Sequence, residues 1–391
     1  MQKKVIALAV AGLVSGAAFA QTNVTVYGVA DATVEMVQAK DATNDNDIKN
    51  HTRINTNSSI LGFRGSEDLG GGLKAVFQFE TNVQLDSDTS SRNTVIGSRR
   101  DTFVGLQGGF GQVKAGTLTG PARSLGAAVD LVAGATGIGS AIPMFGKLGG
   151  YAGGATAPAG GMAPATSGFS TWDTRRSNAI QYVTPKFGGF EVRAQYSAGE
   201  NPAYSTVNDN KPGQTYELGA FYINGPWFAG VTYGQEKPRV KTTAAAPVSG
   251  TAYSIKRTNV RFAGSYTFQG GHKIAALFEQ NKEQEDTYSD LKSYTYGIGA
   301  KFKVSQPGAI IAQVYQTGKL DGMATDKDKY KANFISLGYE HSLSKRTILK
   351  AYYSRIANKD YANYNYGIGN IANASVGSNP TGLAVGIRHT F

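Results

Sequence analysis

GLAVGIRHTF, residues 382–391, closes the chain with two alternating kinds of side chain. Every second position is large and mostly apolar: Leu383, Val385, Ile387, His389 and Phe391. The positions between them are small or polar and include Arg388. This alternation predicts a β-strand whose two faces meet different environments. Because the pattern runs to the aromatic Phe391, we expect the last residue to lie in the sheet and not in a tail.

The same alternation recurs along the chain. It is clear in FEVRAQY (190–196), TNVRFAGSYTF (258–268) and SYTYGIGAKFKV (293–304). The first such strand, NVTVYGVADATVEMV (23–37), puts Val24, Val26, Ala30, Val34 and Met36 on one face and Tyr27, Asp31 and Glu35 on the other. A soluble sandwich would bury one face against a second sheet. Here the second face is unusually charged, which favours a water-facing wall instead.

Short connections separate the strands. Seven stretches are candidate turns: 66–72, 107–111, 185–189, 223–226, 269–271, 305–308 and 343–345, the last of which lacks Gly and Pro. Each turn joins two strands, and one further strand at either end brings the total to about 16. Short turns at one end and long polar loops at the other are typical of an outer-membrane barrel. The sequence therefore predicts an all-β fold, a transmembrane antiparallel β-barrel.

The chain begins with MQKKVIALAVAGLVSGAAFA, residues 1–20. Two lysines, an apolar run and Ala18-Phe19-Ala20 form the pattern of a cleaved export signal. A membrane anchor is disfavoured, because the apolar run is short for a helical span. Residues 21–391 are then expected to form one barrel domain. The chain contains no cysteine, so this exported domain is expected to fold without disulfides.

Several motifs resemble the trimeric general porins of Gram-negative bacteria, most closely the β-proteobacterial branch. They are TVYGVADATVE (25–35), LGFRGSEDLGGGLKAVFQFE (61–80), RRDTFVGLQGGFGQVKAG (99–116) and the terminal Phe391. The resemblance covers essentially all of 21–391. It implies a sixteen-stranded barrel in the outer membrane, a homotrimer, and a third extracellular loop folded into the lumen. It also implies contacts with outer-membrane lipid and lipopolysaccharide, and that the barrel assembly machinery recognises Phe391 as a C-terminal assembly signal.

The expected third loop spans about residues 117–172 and is rich in Gly and Ala. A connection of this length is usually functional. The alternative is a flexible, low-complexity surface loop. The resemblance implies an acidic loop opposite a basic wall, but the acidic residues of 117–172 reduce to Asp130. The constriction is therefore expected to be net positive.

Basic residues also outnumber acidic ones on the face assigned to the lumen, and the whole chain carries a net charge of +11. Rings of Arg and Lys favour anions in a pore. The residues expected at the constriction are Arg100, Lys114, Arg123, Arg175, Arg193 and Arg261, with Glu80 and Asp130 as opposing acids. Phe103, just after Arg100, is assigned to the lipid side. The predicted function is a passive diffusion channel for small hydrophilic solutes that prefers anions.

An outer-membrane enzyme is disfavoured, because the four histidines lie beside no Ser or carboxylate constellation and G-x-S-x-G is absent. No metal or other cofactor is expected. Nucleic acid is disfavoured as a partner, because basic residues alternate with apolar ones. A secreted adhesin and a substrate-specific channel for phosphate or organic acids remain as alternatives.

Overall fold

The computed structural model describes residues 23–86, 96–148, 172–199, 213–237, 255–285, 288–323 and 326–391. The expected export signal (1–20) and part of the expected third loop (149–171) lie outside these residues. The described strand segments, in chain order, are β1 (Asn23–Lys40), β2 (Ile48–Asn55), β3 (Ile60–Gly70), β4 (Leu73–Val83), β5 (Ile96–Arg99), β6 (Thr102–Gly108), β7 (Gly111–Thr119), β8 (Arg175–Val183), β9 (Phe190–Ala198), β10 (Gln214–Asn224), β11 (Trp227–Lys237), β12 (Ile255–Thr267), β13 (Lys273–Glu285), β14 (Tyr288–Lys303), β15 (Gly308–Thr317), β16 (Ala332–Ser342), β17 (Thr347–Asn358) and β18 (Asn379–Thr390).

The 18 segments form 16 strands of one antiparallel sheet. Segments β2 and β3 both pair with β1 and are two halves of one strand, interrupted where Asn57 adopts a φ of 47°. Segments β5 and β6 both pair with β4 and form a second interrupted strand. Every other segment pairs with its neighbours in sequence. The predicted count of about 16 strands is confirmed in the described part of the chain.

The sheet closes on itself between its first and last strands. β18 pairs with β1 from Thr390, opposite Val29, to Asn379, opposite Lys40. The Phe391 N–H donates to the Gly28 carbonyl, and the Gly28 N–H donates to the Phe391 carbonyl, both at 3.1 Å. The last residue therefore lies in the ladder, as predicted. Closure pairs backbone groups that an open edge would leave exposed to lipid.

The two faces of the strands differ as the alternation predicts. In β1, Val34 and Met36 are about half exposed (50% and 49%), whereas Asp31 and Glu35 are fully buried. Val24 and Val26 are exposed like Val34 and Met36. In β18, the exposed apolar side chains are Leu383, Val385 and Ile387, and Phe391 follows at the rim. The barrel thus has an apolar outer surface and a charged inner surface.

Each of the seven predicted turns overlaps a short connection at one end of the barrel, including 343–345, which lies between β16 and β17. The longer connections lie at the other end. The third of them, residues 120–174, is the longest; it begins later than the expected 117 because β7 continues to Thr119. It contains helix α1 (Pro121–Val129) and a 3₁₀ turn at Ile142–Met144. Within the described residues, no helix is long and apolar enough to cross a membrane.

Replacing Gly28 with Ala should destabilise the closure of the barrel. A Cβ at Gly28 would lie 2.4 Å from Cζ of Phe391 and 2.7 Å from the carbonyl oxygen of Ile60. Overpacking of this kind costs about 1–3 kcal/mol. We expect the folded band on an unheated SDS gel to disappear at a lower temperature.

Gly109→Ala is the matched control, because nothing lies within 4 Å of a Cβ at that turn position. An equal loss of heat resistance in both variants would contradict the closure contact.

Candidate pore constriction

The third long connection, 120–174, lies against the inner face of the barrel. Four of its backbone N–H groups donate to inward side chains of four strands: Ala122 to Glu217 of β10 (3.1 Å), Leu131 to Gln313 of β15 (3.2 Å), Ala133 to Glu340 of β16 (2.8 Å) and Gly146 to Glu279 of β13 (2.6 Å). The described part of this loop therefore crosses the interior, held on the β10–β16 side. The wall formed by β4 to β9 faces its other side.

Arg261 of β12 holds both ends of this loop. Its guanidinium donates to the carbonyl of Ala122 near the start of the loop (2.6 Å) and forms an ion pair with Asp173 at the end (2.5 Å). A second ion pair joins it to Glu279 of the wall (2.6 Å), and its carbon lies 5.4 Å from the centre of the Phe145 ring. Arg261 is fully buried. This corrects its expected position, because it lies between the loop and the wall and not in the open passage.

Asp130 is also placed differently from the sequence expectation. Its carboxylate accepts hydrogen bonds from Ser140 Oγ (2.6 Å) and the Ala141 N–H (3.0 Å), both within the loop. It also accepts from the Val132 N–H (3.0 Å) and Gln313 Nε2 (3.2 Å). Burial raises the pKa of this carboxyl, and these hydrogen bonds oppose the rise. Asp130 therefore stabilises the loop internally and does not face the basic wall as an opposing acid.

The other five basic residues come together on one side of the interior. Arg100 lies between β5 and β6, Lys114 is in β7, Arg175 begins β8, Arg193 is in β9, and Arg123 is in α1. The charges of Arg100, Arg123 and Arg175 act on one another, and those of Lys114 and Arg193 do the same. Neighbouring strands of one sheet explain this convergence, because β6 to β9 are adjacent. We call these five residues the basic cluster.

Three acidic residues lie within the basic cluster. Ion pairs join Arg100 to Glu80 (2.5 Å), Arg175 to Asp101 (3.3 Å) and Arg193 to Glu191 (2.7 Å). Five basic and three acidic side chains leave a net charge of +2. The paired arginine side chains keep 15%, 19% and 27% of their surface exposed, so water and solutes reach them. Glu80 therefore lies beside the basic residues and not across from them.

Two members of the basic cluster form cation–π contacts with aromatic rings. The Arg193 guanidinium lies 4.5 Å from the centre of the Phe221 ring, and Lys114 Nζ lies 5.0 Å from that of Phe103. Phe103 thus faces the lumen, and its assignment to the lipid side was wrong. Val104 is the outward neighbour, with 63% exposed. The break between β5 and β6 shifts the alternation by one residue. Such a shift reverses the face that alternation predicts for the residues after it.

Two further interior charges, Asp101 and Arg176, lie beside irregularities in the strands, and the alternation did not predict them. Asp101 lies in the break after β5, and Arg176 lies two residues before Asn178, which adopts a φ of 53° in β8. Arg176 forms ion pairs with Glu217 (3.7 Å) and Glu236 (3.2 Å). Isolated positions of this kind carry no periodic signal. Only the pairing register shows which way they point.

A second loop, residues 359–378 between β17 and β18, also folds inward. Tyr364 and Tyr366 are buried in the same apolar cluster as Ala141 and Met144 of the third connection. Tyr366 Oη donates to the Ser354 carbonyl at 3.1 Å. Sequence reasoning did not anticipate this packing. The available signal was the spacing of tyrosines in YANYNYG (361–367), which is unusually aromatic for an exposed polar loop.

A closed barrel with an apolar outer face, a charged interior and an inward loop defines the class of water-filled outer-membrane channels. A family model described as Gram-negative porin matches residues 7–361, and the chain belongs to this family. Outer membrane porin protein 32 of Delftia acidovorans is 34% identical over the full length of both chains, and an outer membrane porin of Bordetella pertussis is 28% identical over the same extent.

Among solved structures, an anion-selective porin from Comamonas acidovorans superposes with a TM-score of 0.72 at 29% identity, covering 95% of this chain and 100% of that one. The predicted family, outer-membrane location and role as a passive channel are confirmed. The constriction residues remain predictions, apart from the positions corrected above.

Replacing Arg261 with Met should loosen the loop. The change leaves Asp173 and Glu279 buried without their shared counter-ion, which typically costs 3–5 kcal/mol, about the range expected here. We expect reduced resistance to unfolding by guanidinium chloride and a fluctuating, higher single-channel conductance.

Arg257→Met is the matched control. Arg257 lies on the same face of β12 and pairs with Glu236 and Glu283 of the neighbouring strands. Its loss should destabilise the barrel without adding current noise. A quiet, unchanged current in the Arg261 variant would contradict the role of Arg261 as the loop anchor.

Proposed function

We propose that this porin passes small hydrophilic solutes and prefers anions. The observation that carries the proposal is the basic cluster with its acidic partners, five basic and three acidic side chains on β4, the break between β5 and β6, β7 to β9 and α1. A cation crossing this region meets a positive potential, whereas an anion is attracted. The anion-selective porin from Comamonas acidovorans supports the proposal as a structural relative.

The constriction is proposed to lie between the loop, about 117–172 in the sequence prediction, and the wall from β4 to β9. The loop does not supply a free acid to oppose the wall in its described part, because Asp130 accepts hydrogen bonds from the loop itself and Asp173 forms an ion pair with Arg261. The field is therefore proposed to be of one sign across the passage. Arginine keeps its charge at any relevant pH, so the preference should hold from acidic to neutral medium.

A substrate-specific channel is a second candidate, favoured by the proximity of Arg100, Arg123 and Arg175. Guanidinium groups bind carboxylate and phosphate through paired hydrogen bonds. Such a site would produce a conductance that saturates with phosphate or a dicarboxylate. A conductance linear in the concentration of those salts would leave the general channel as the function.

Each of the single variants Arg100→Ala, Arg175→Ala and Arg193→Ala should have a lower anion preference than the unaltered protein. Removing one unit charge from a cluster of net charge +2 should reduce the ratio of chloride to potassium permeability by about two- to fourfold. The measurement is the reversal potential of purified protein in a planar bilayer under a KCl gradient.

Two control variants should not lower the permeability ratio. Arg355→Ala removes an exposed arginine from the outward face of β17 and should leave the ratio unchanged. Asp101→Asn should raise the ratio, because it removes the acidic partner of Arg175. Potassium preference in the unaltered protein, or an equal effect of the Arg355 variant, would refute the proposal.

The partners of the channel are also proposed. We infer a homotrimer in the outer membrane, in contact with its lipid and lipopolysaccharide, and assembled by the barrel assembly machinery through the strand ending in Phe391. The pairing of Phe391 with Gly28 in the closing ladder supports its role in assembly. Phe391→Ser should slow appearance of the folded form in cells; an unchanged rate would refute that role.

The trimer has a direct test. Native mass spectrometry of the protein extracted in mild detergent should show three copies of the chain. A single copy at every detergent concentration would contradict the proposed assembly.

A further inference from the structure

Two rows of inward side chains extend from the basic cluster toward the short turns. In the upper row, Arg64 of β3 pairs with Gln78 of β4, and Gln78 pairs with Phe103 of β6. The residues that alternate with the ends of this row, Phe63 and Val104, are exposed on the outer face of the barrel. The upper row therefore faces the lumen.

The lower row, one step nearer the turns, provides an apolar floor. Val76 of β4 pairs with Gly105 of β6, and Gly105 pairs with Lys114 of β7. Val76 is buried, and Gly105 adds no side chain, because a Cβ there would lie 2.3 Å from the Val113 carbonyl oxygen. The wall is therefore low and apolar beside Lys114. We call the two rows together the trough.

Each end of the trough carries a cation against an aromatic ring. The Arg64 guanidinium lies 5.1 Å from the centre of the Tyr27 ring, and Lys114 Nζ lies 5.0 Å from that of Phe103. The Tyr27 ring is fixed above the upper row, because its Oη donates to Glu80 at 3.0 Å. Tyr27 and Phe103 are both only half-buried. Both rings therefore offer a surface to a solute in the lumen.

The two cations of the trough are available to an anionic solute. Within the described ranges, neither Arg64 nor Lys114 forms an ion pair. The acids whose charges act on Lys114 are Asp101 and Glu191, and both form ion pairs with other members of the basic cluster. Arg64 is also exposed. A guanidinium group of this kind binds a carboxylate through two parallel hydrogen bonds.

We propose that the trough binds aromatic carboxylates. The carboxylate binds Arg64, and the ring lies over Val76 and Gly105 against Phe103. Two strand spacings, about 10 Å, separate the backbones of Arg64 and Phe103, which leaves room for one ring between the side chains. Stacked or edge-on rings attract one another beyond the effect of buried area, so the site distinguishes an aromatic acid from an aliphatic one.

The site deepens the proposed function and rests on it, because a passage that repels anions would exclude carboxylates. It differs from the second candidate given above in its residues and in its ligand. A phosphate or a small dicarboxylate would bind the guanidinium groups of Arg100, Arg123 and Arg175 through charge alone. The trough adds an apolar floor and a ring, which neither of those ligands uses.

The first test compares three probes on the unaltered, detergent-purified channel by ligand-observed NMR titration: benzoate, cyclohexanecarboxylate and benzyl alcohol. Benzoate should bind about fivefold more tightly than cyclohexanecarboxylate, which has the same charge and a similar size but no aromatic face. Benzyl alcohol keeps the ring and lacks the charge, so it should not saturate the protein in the same concentration range. Equal affinity of the two carboxylates, or saturable binding of benzyl alcohol, would overturn the proposal.

A variant of the ring locates the aromatic preference. Phe103→Leu should lower the ratio of benzoate to cyclohexanecarboxylate affinity to about one, because the contact between rings is lost. The matched control is Phe79→Leu in β4, whose ring is 54% exposed on the outer face. The control should keep the ratio of the unaltered protein. An unchanged ratio in the Phe103 variant would remove the ring from the site and overturn the proposal.

A variant of the cation locates the carboxylate. Arg64→Gln should weaken both carboxylates about tenfold, because a hydrogen-bonded charge is lost. The control Lys303→Gln removes an inward cation near the turns of the opposite wall, where Lys303 alternates with the exposed Phe302 of β14. The control should bind as the unaltered protein does. Equal weakening in both variants would show a general field of the lumen and overturn the site.

The reversal potential in KCl separates the failure of this site from the failure of the proposed function. Potassium preference in the unaltered protein would overturn the anion channel and the trough with it. Chloride preference together with equal binding of benzoate and cyclohexanecarboxylate would overturn the trough alone. Chloride preference together with a benzoate preference that depends on Phe103 and Arg64 supports both.

Discussion

Backbone pairing is the constraint on which the rest of this structure depends. A strand in a bilayer finds no water for its N–H and C=O groups, so every strand needs a neighbour on both sides. The chain meets this requirement by joining β18 to β1, down to the two hydrogen bonds between Gly28 and Phe391. Gly28 has no side chain to oppose the aromatic ring, which allows the final residue to complete the ladder. Closure then fixes which face of every strand turns inward.

Inside the closed wall, ion pairs act together with an apolar cluster to hold the third connection in place. Arg261 binds the two ends of the third connection and the wall at once, through Ala122, Asp173 and Glu279. Asp130 folds the middle of the same loop around its carboxylate. Acids used in this way are no longer available to the passage. The positive character of the basic cluster is thus partly a consequence of how the loop is anchored.

The alternating pattern gives the two faces of the sheet different roles. On the inner face, arginines of adjacent strands converge where water and solutes reach them, and their ion pairs leave a positive excess. This cluster arises because antiparallel register places residues from distant parts of the sequence side by side.

The sequence alone determined the barrel. Period-two alternation and seven short turns specified about 16 strands and most of their inner and outer faces, because each of these is a local property of successive residues. The aromatic end of the last strand predicted that the final residue lies in the sheet. It also indicated the excess of basic residues on the inner face. Only the tertiary structure decided which charges remain accessible. Arg261 and Asp130 lie within the loop contacts, Phe103 faces inward, and Asp101 joins the cluster. Strand breaks shift the alternation, and a long loop selects its partners from strands far away in sequence, so neither effect has a local signature.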